Sequence, residues 1–310
     1  MTPRTDNFIR LFAAAALCWV VLTGCARDRV VDTERSEALL REAHMEASVF
    51  NYNRAYELYS GSRAIAEVGS DQWVEATFGA ATSGWHRLPP NRASIVEART
   101  LFEELVKRLT TDSPYLPRAL LSLGRMHEQV NFPGDTEDVN TARGYYTRVM
   151  EEWENTIFAD EAAGRFAASA LHDYRDPEAV REGLERLERY LERRTDSPIA
   201  NILWYFLGDK YWHYLEDAEK AFASFERAIA LGLVERARAW HTYWRMAWMA
   251  ERYLDDPLGA AVYYAKIVEE TPRSPRVHES LAAYARLREQ FPDELPEIKR
   301  TLLPHEIADE

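Results

Sequence analysis

The chain has 310 residues, 46% hydrophobic and 29% charged, with a formal net charge of −13. That charge disfavours nucleic-acid binding, which needs a basic face for phosphates, and it weakens attachment to anionic lipid unless a covalent anchor holds the protein there. With only 13 Gly and 14 Pro, long stretches are left to helix, so the composition predicts an all-α protein with enough apolar residues for a sizeable core.

The N-terminus comes first. Arg4 and Arg10 flank the start of an apolar run of twelve residues, Leu11 to Leu22. Such a run is short for a bilayer span and suits the apolar region of an export signal. It leads into Leu22-Thr23-Gly24-Cys25, which resembles the bacterial lipobox. The resemblance implies a signal peptide over 1–24, cleavage before Cys25 and lipidation of Cys25. Ala26 in place of Asp after that Cys implies sorting to the outer membrane, facing the periplasm. The other Cys, Cys18, lies inside the signal, so the mature protein is expected to carry no thiol for a disulfide. Residues 25–33 read as a lipidated polar tether.

Helical periodicity begins near Glu34, and paired segments follow. The first pair, about 34–69, carries Leu39, Leu40, Ala43 and Ala47, breaks at Asn51-Tyr52-Asn53 and returns with Ala55 and Tyr59. The second, 70–114, runs from Trp73 through Phe78-Gly79, turns at Pro89-Pro90 and returns with Ala98, Phe102 and Leu105. The third, 115–158, opens on Leu120, Leu123 and Gly124 and returns with Ala142, Tyr146 and Val149 after an expanded turn at 131–135. The fourth, 159–198, reads Phe166, Ala170 and Tyr174 as one helical face, then restarts at Asp176-Pro177 with Leu184, Leu187 and Leu191. The fifth, 199–235, carries Trp204, Leu207, Gly208 and Tyr211, then Ala221, Phe225 and Ala228. The sixth, 236–275, carries Trp244, Ala247 and Trp248, then Ala260, Tyr264, Ile267 and Pro272. A single helix over 276–291 caps the array, and a Pro-punctuated tail occupies 292–310.

Three features put these pairs in one register. Ser-Pro follows Asp at 112–114 and 196–198 and follows Arg at 273–275, each time closing a second helix. Pro114 to Pro198 spans 84 residues, as does Gly124 to Gly208. The fifth pair, W-x2-L-G-x2-Y followed by A-x3-F-x2-A, resembles the tetratricopeptide repeat, with one extra residue between Gly208 and Ala221. The resemblance covers about 34–291 and implies a right-handed superhelical solenoid of about six helical hairpins and a cap. In repeat style the sequence is similar to tetratricopeptide lipoproteins of bacterial envelopes, closest to the barrel-assembly lipoprotein and the Tol–Pal-associated coordinator. That similarity implies a scaffold that binds other envelope proteins.

Nothing in the sequence marks an enzyme: H-E-x-x-H, G-x-x-x-x-G-K-[ST], G-x-S-x-G and G-x-G-x-x-G are all missing. The eight His are scattered with no i, i+4 pair, so no metal or cofactor is expected. In the resembled family the first helix of each pair lines a concave groove. One residue beyond the packing position, and then four, seven and eight further on, the fifth pair offers Tyr205, Asp209, Trp212 and His213. The sixth pair offers Arg245, Met249, Arg252 and Tyr253, the third Arg125, Glu128 and Gln129, and the fourth His172, Arg175 and Asp176, with Arg118, Arg165 and Arg286 near the same lane. The predicted partner-binding groove consists of Arg125, Arg175, Tyr205, Asp209, Trp212, Arg245, Met249, Arg252 and Tyr253. Guanidinium forks beside aromatics suit an extended acidic segment or a free C-terminal carboxylate; the plainer reading is that these Arg pair with Glu one turn away. Trp240, Trp244 and Trp248 share a helical face near Trp204 and Trp212. They read chiefly as packing, with a Trp-rich pocket for a glycan or peptidoglycan fragment as the alternative.

Overall fold

The computed structural model describes residues 31–233 and 239–298. The export-signal run, Cys25 and the last residues of the tail lie outside them. Among the described residues there are thirteen α-helices and no strand: α1 (Thr33–Ser48), α2 (Tyr52–Ile65), α3 (Asp71–His86), α4 (Arg92–Arg108), α5 (Tyr115–Glu128), α6 (Val139–Glu152), α7 (Ile157–Ser169), α8 (Pro177–Arg193), α9 (Ala200–Leu215), α10 (Ala218–Leu231), α11 (Ala239–Tyr253), α12 (Pro257–Glu270) and α13 (Val277–Gln290). The fold is all-α, built from consecutive helical hairpins. The protein forms two compact units, one of residues 31–115 with 131–133, the other of 116–130 and everything described from 134 onward.

The helix starts follow from local chemistry. The second helix of each of the last four pairs begins on an Asp cap: Asp138, Asp176, Asp217 and Asp256 each accept from a backbone N–H of the first turn. Each satisfies a donor that the helix geometry leaves over. Pro177 and Pro257 follow their caps directly, where the missing N–H costs nothing. The three Ser-Pro closures share one turn: Ser113, Ser197 and Ser274 donate their backbone N–H to the carbonyls of Thr110, Arg194 and Thr271, at 3.0, 3.4 and 2.9 Å.

In the first unit α1 to α4 pack each on the next. Trp73 is buried beneath the Arg63 and Arg108 guanidinium groups, 5.3 and 5.5 Å from its ring. The Phe78 and Phe102 rings meet edge to face at 5.6 Å.

In the second unit a continuous core runs from Ala163 to Leu295. The close approach of two helices is set by glycine. A Cβ on Gly124 would stand 2.4 Å from the Tyr146 ring, and one on Gly208 would stand 2.8 Å from the Phe225 ring. The aromatic side chain of the second helix lies directly on the backbone of the first. The tail turns back over α13: Leu295 is buried, and the Tyr284 hydroxyl donates to the Pro296 carbonyl at 2.8 Å.

The fourth pair departs from the periodic reading. Its first helix stops at Ser169 and tightens into a 3₁₀ turn over Ala170–Asp173, which leaves Tyr174 exposed. Three residues per turn instead of 3.6 breaks the face that the sequence spacing assigns to Phe166, Ala170 and Tyr174.

Candidate functional site

The fifth and sixth pairs bring together residues that the groove reading places in separate repeats. Two first helices, α9 and α11, present Asp209, Trp212 and His213 on one side and Arg245, Trp248, Arg252 and Tyr253 on the other. The Arg245 Nη1 donates to Asp209 Oδ1 at 3.0 Å, bridging 36 residues. Both groups are largely shielded, at 19% and 24% side-chain exposure, so the pair contributes more than a surface ion pair would. Burial alone would raise the Asp209 carboxyl. Lys210, donating at 3.0 Å, and Arg245 outweigh it and hold that carboxyl below the usual carboxylate range. The Arg245 guanidinium also lies 5.4 Å from the Phe225 ring centroid.

One turn further along, three aromatic rings cluster. Trp212 meets Trp248 at 5.7 Å and Tyr253 at 4.9 Å, both edge to face, and Trp248 meets Tyr253 at 5.0 Å. Trp248 is 37% and Tyr253 55% exposed, so this cluster reaches solvent while its base sits on the core. Beside it Arg252 is exposed and makes no ion pair or hydrogen bond among the described residues. Glu251, the neighbour it could have used, instead accepts from the Tyr264 hydroxyl at 3.0 Å and from Arg286 at 2.6 Å.

Other groove candidates fall elsewhere. Met249 is a correction: it is fully buried in the core, because it stands one turn after Arg245 on the side of α11 that meets the rest of the unit. Tyr205 packs edge to face on Phe225 at 5.2 Å and belongs with the core edge. Arg175 is a second correction. The 3₁₀ turn takes it off the helical lane into the loop before α8, where its guanidinium lies 5.7 Å from the Tyr174 ring. Arg125, on α5, is partly buried; burial, and then the like charge of Arg165, lower its pKa. The nearby Glu128 accepts from the buried Tyr146 hydroxyl at 2.6 Å.

The Trp side chains do not share one pocket. Trp204 is buried in the core, with the Arg227 guanidinium 4.3 Å from its ring. Trp244 lies between Tyr264, at 5.7 Å, and the Arg276 guanidinium, at 4.6 Å. Trp240 faces a shallow cavity of about 290 Å³, formed with Glu270 and the 271–275 turn. The exposed cluster includes a residue outside the groove count, Trp248. Its helical spacing from Arg245 and Arg252 is visible in the sequence, but that spacing by itself reads as packing.

Among the described residues no group of three or more His, Cys, Asp or Glu could hold a metal ion, and no helix is long and apolar enough to cross a membrane.

No family model matches the protein, and no curated protein does. A solved structure, the crystal structure of the APC/C hetero-tetramer Cut9-Hcn1, aligns with 82% of this protein and 43% of that one, at 14% identity and a TM-score of 0.45. The protein thus spans less than half the length of that neighbour.

Proposed function

We propose that this protein is a non-enzymatic interaction scaffold of the bacterial cell envelope, lipid-anchored at Cys25, which takes protein partners on the α9–α11 face and serves an outer-membrane or periplasmic assembly complex. The observation that carries the partner site is the solvent-facing Trp212–Trp248–Tyr253 cluster beside unpaired Arg252. Trp, Tyr and Arg are the residue types that dominate binding energy at protein interfaces. A rigid helical base lowers the ordering cost of using them. Arg252, Lys210 and Arg245 against the single carboxylate of Asp209 leave this face with local positive charge in a protein of net −13, which suits an acidic segment. The anchor rests on the lipobox-like sequence alone.

The test is in-cell crosslinking of the full-length protein, detergent extraction and mass spectrometry. Wild type is run beside Trp248→Ala with Arg252→Glu, and beside Cys25→Ser. A defined envelope complex that disappears with the surface variant, and a membrane fraction that empties with Cys25→Ser, are the expected results. Recovery of the same complex from the surface variant would overturn the partner site; unchanged fractionation of Cys25→Ser would overturn the anchor.

A second reading, an accessory that binds glycan or peptidoglycan fragments, has support from the Trp240 cavity with its polar Glu270 and Arg273 rim. Quenching of tryptophan fluorescence by wall fragments, abolished by Trp240→Ala, would favour it over the scaffold.

A further inference from the structure

Away from the α9–α11 face, the second unit contains a groove of about 300 Å³ between α6 and α8, floored by α7. Its two walls carry opposite charge. From α8, Arg186 and Arg193 line one side; from the end of α6 and the turn after it, Glu151 and Glu154 line the other. None of these four makes an ion pair or hydrogen bond among the described residues, although charged neighbours surround them. Arg186 is held in place without neutralisation: its guanidinium lies 4.0 Å from the centroid of the Phe166 ring in the floor. Arg194, at the end of the same wall, is engaged elsewhere, with Asp160, Asp196 and the Asn155 carbonyl. Between the walls the floor is apolar, from Met150, Phe166 and Leu187.

We propose that this groove is a second docking site, for a short extended peptide segment whose alternate side chains carry opposite charge. The lining of α8 runs from Gly183 to Arg194, which at the helical rise is about 16 Å. An extended peptide spans that length in roughly five to six residues. Its successive side chains point to opposite sides. A segment alternating acid and base therefore sends every carboxylate toward Arg186 and Arg193 and every ammonium toward Glu151 and Glu154. The aliphatic stems of Glu and Lys lie over the apolar floor while their charged ends reach the walls. Four unpaired charges of fixed sign are thereby neutralised together, and a segment of the same composition in blocks cannot do this.

The test uses the full-length protein in detergent and two end-capped, fluorescein-labelled hexapeptides: three Glu-Lys repeats, and three Glu followed by three Lys. Fluorescence anisotropy is expected to show the alternating peptide bound at least about tenfold tighter than the blocked one. Arg186→Glu with Arg193→Glu should remove that preference while the circular dichroism spectrum stays unchanged. Adding Glu151→Arg and Glu154→Arg, which exchanges the two walls, should restore it, because the peptide can enter in the reverse direction. Equal affinity for the two peptides, absence of binding by both, undiminished binding by the double variant, or failure of the exchanged groove to recover would each overturn the proposal. The α9–α11 face is untouched by these variants, so the outcome is separate from that of the partner-capture experiment.

Discussion

Single atoms decide where the helices can meet. Gly124 and Gly208 stand at equivalent places in two pairs, each beneath an aromatic ring that leaves no room for a methyl group. Gly208→Ala is expected to lower stability by about 1–3 kcal/mol in chemical denaturation, as overpacking does. The exposed Gly144, with nothing near its Cβ position, should instead tolerate Ala and gain a few tenths to about 1 kcal/mol. A different economy of space appears at Phe50. It closes α1 in the left-handed region at φ 61, where Phe50 N–H bonds Ala47 O at 3.0 Å and Asn51 N–H bonds Glu46 O at 2.9 Å. This is the helix ending normally made with Gly. Phe50 is 77% exposed, so its ring contributes little, while the backbone conformation costs about 1–2 kcal/mol. Phe50→Gly should therefore leave the melting temperature level or raise it, despite the loss of an aromatic side chain; a fall of several degrees would contradict this.

At the level of the helix, two arginines on α11 that look alike in sequence differ in kind. Arg245 is tied to Asp209 on α9 and lies against Phe225, whereas Arg252 faces solvent without a partner. Charge reversal at the first puts a second carboxylate against Asp209, and Arg245→Glu is expected to destabilise by about 1–3 kcal/mol. Arg252→Glu is expected to stay within about 0.5 kcal/mol of wild type. Urea denaturation of the two variants checks the contrast. It also bears on how the binding face is probed: a reversal at both positions would confound folding with recognition, which is why the proposed surface variant spares Arg245. The Asp caps of α6, α8, α10 and α12 are legible as single letters before each periodic run, and Asp176 and Asp256, with Pro177 and Pro257 behind them, stand out most as helix starts. The early stop of α7 is not legible, because Ala170, Leu171 and His172 continue a helical pattern perfectly well in isolation.

Across the molecule, tyrosines recur where the hairpins close, and they couple stability to high pH. Burial first, and then acidic neighbours, push Tyr59, Tyr243 and Tyr264 up to about 12 from 10.0. Above pH 10 the unfolded protein releases these protons while the folded protein keeps them, so ν_U falls below ν_N and stability declines. The contribution is fully present below pH 10 and is lost as pH rises toward 12, at up to about 1.4 kcal/mol per unit for each group. Urea midpoints measured from pH 9 to 12 should fall, and Tyr243→Phe, which keeps the ring and removes the titration, should make that fall shallower. Unchanged midpoints across the window would contradict the coupling. The all-α class and the succession of hairpins are readable from the sequence alone, since apolar spacing, Asp and Ser caps, and Pro stops act within a few residues of one another. The lipid anchor and the envelope partner also come from local sequence and remain proposals. Which groove candidates share a surface was settled only by packing. Helical phase after α7, the burial of Met249, the pairing of Arg245 with Asp209 and the edge-to-face contact of Trp212 with Tyr253 all depend on how one helix is rotated against another. That rotation is set by the volumes of residues far apart in the sequence, Gly208 against Phe225 among them, and no local pattern encodes it.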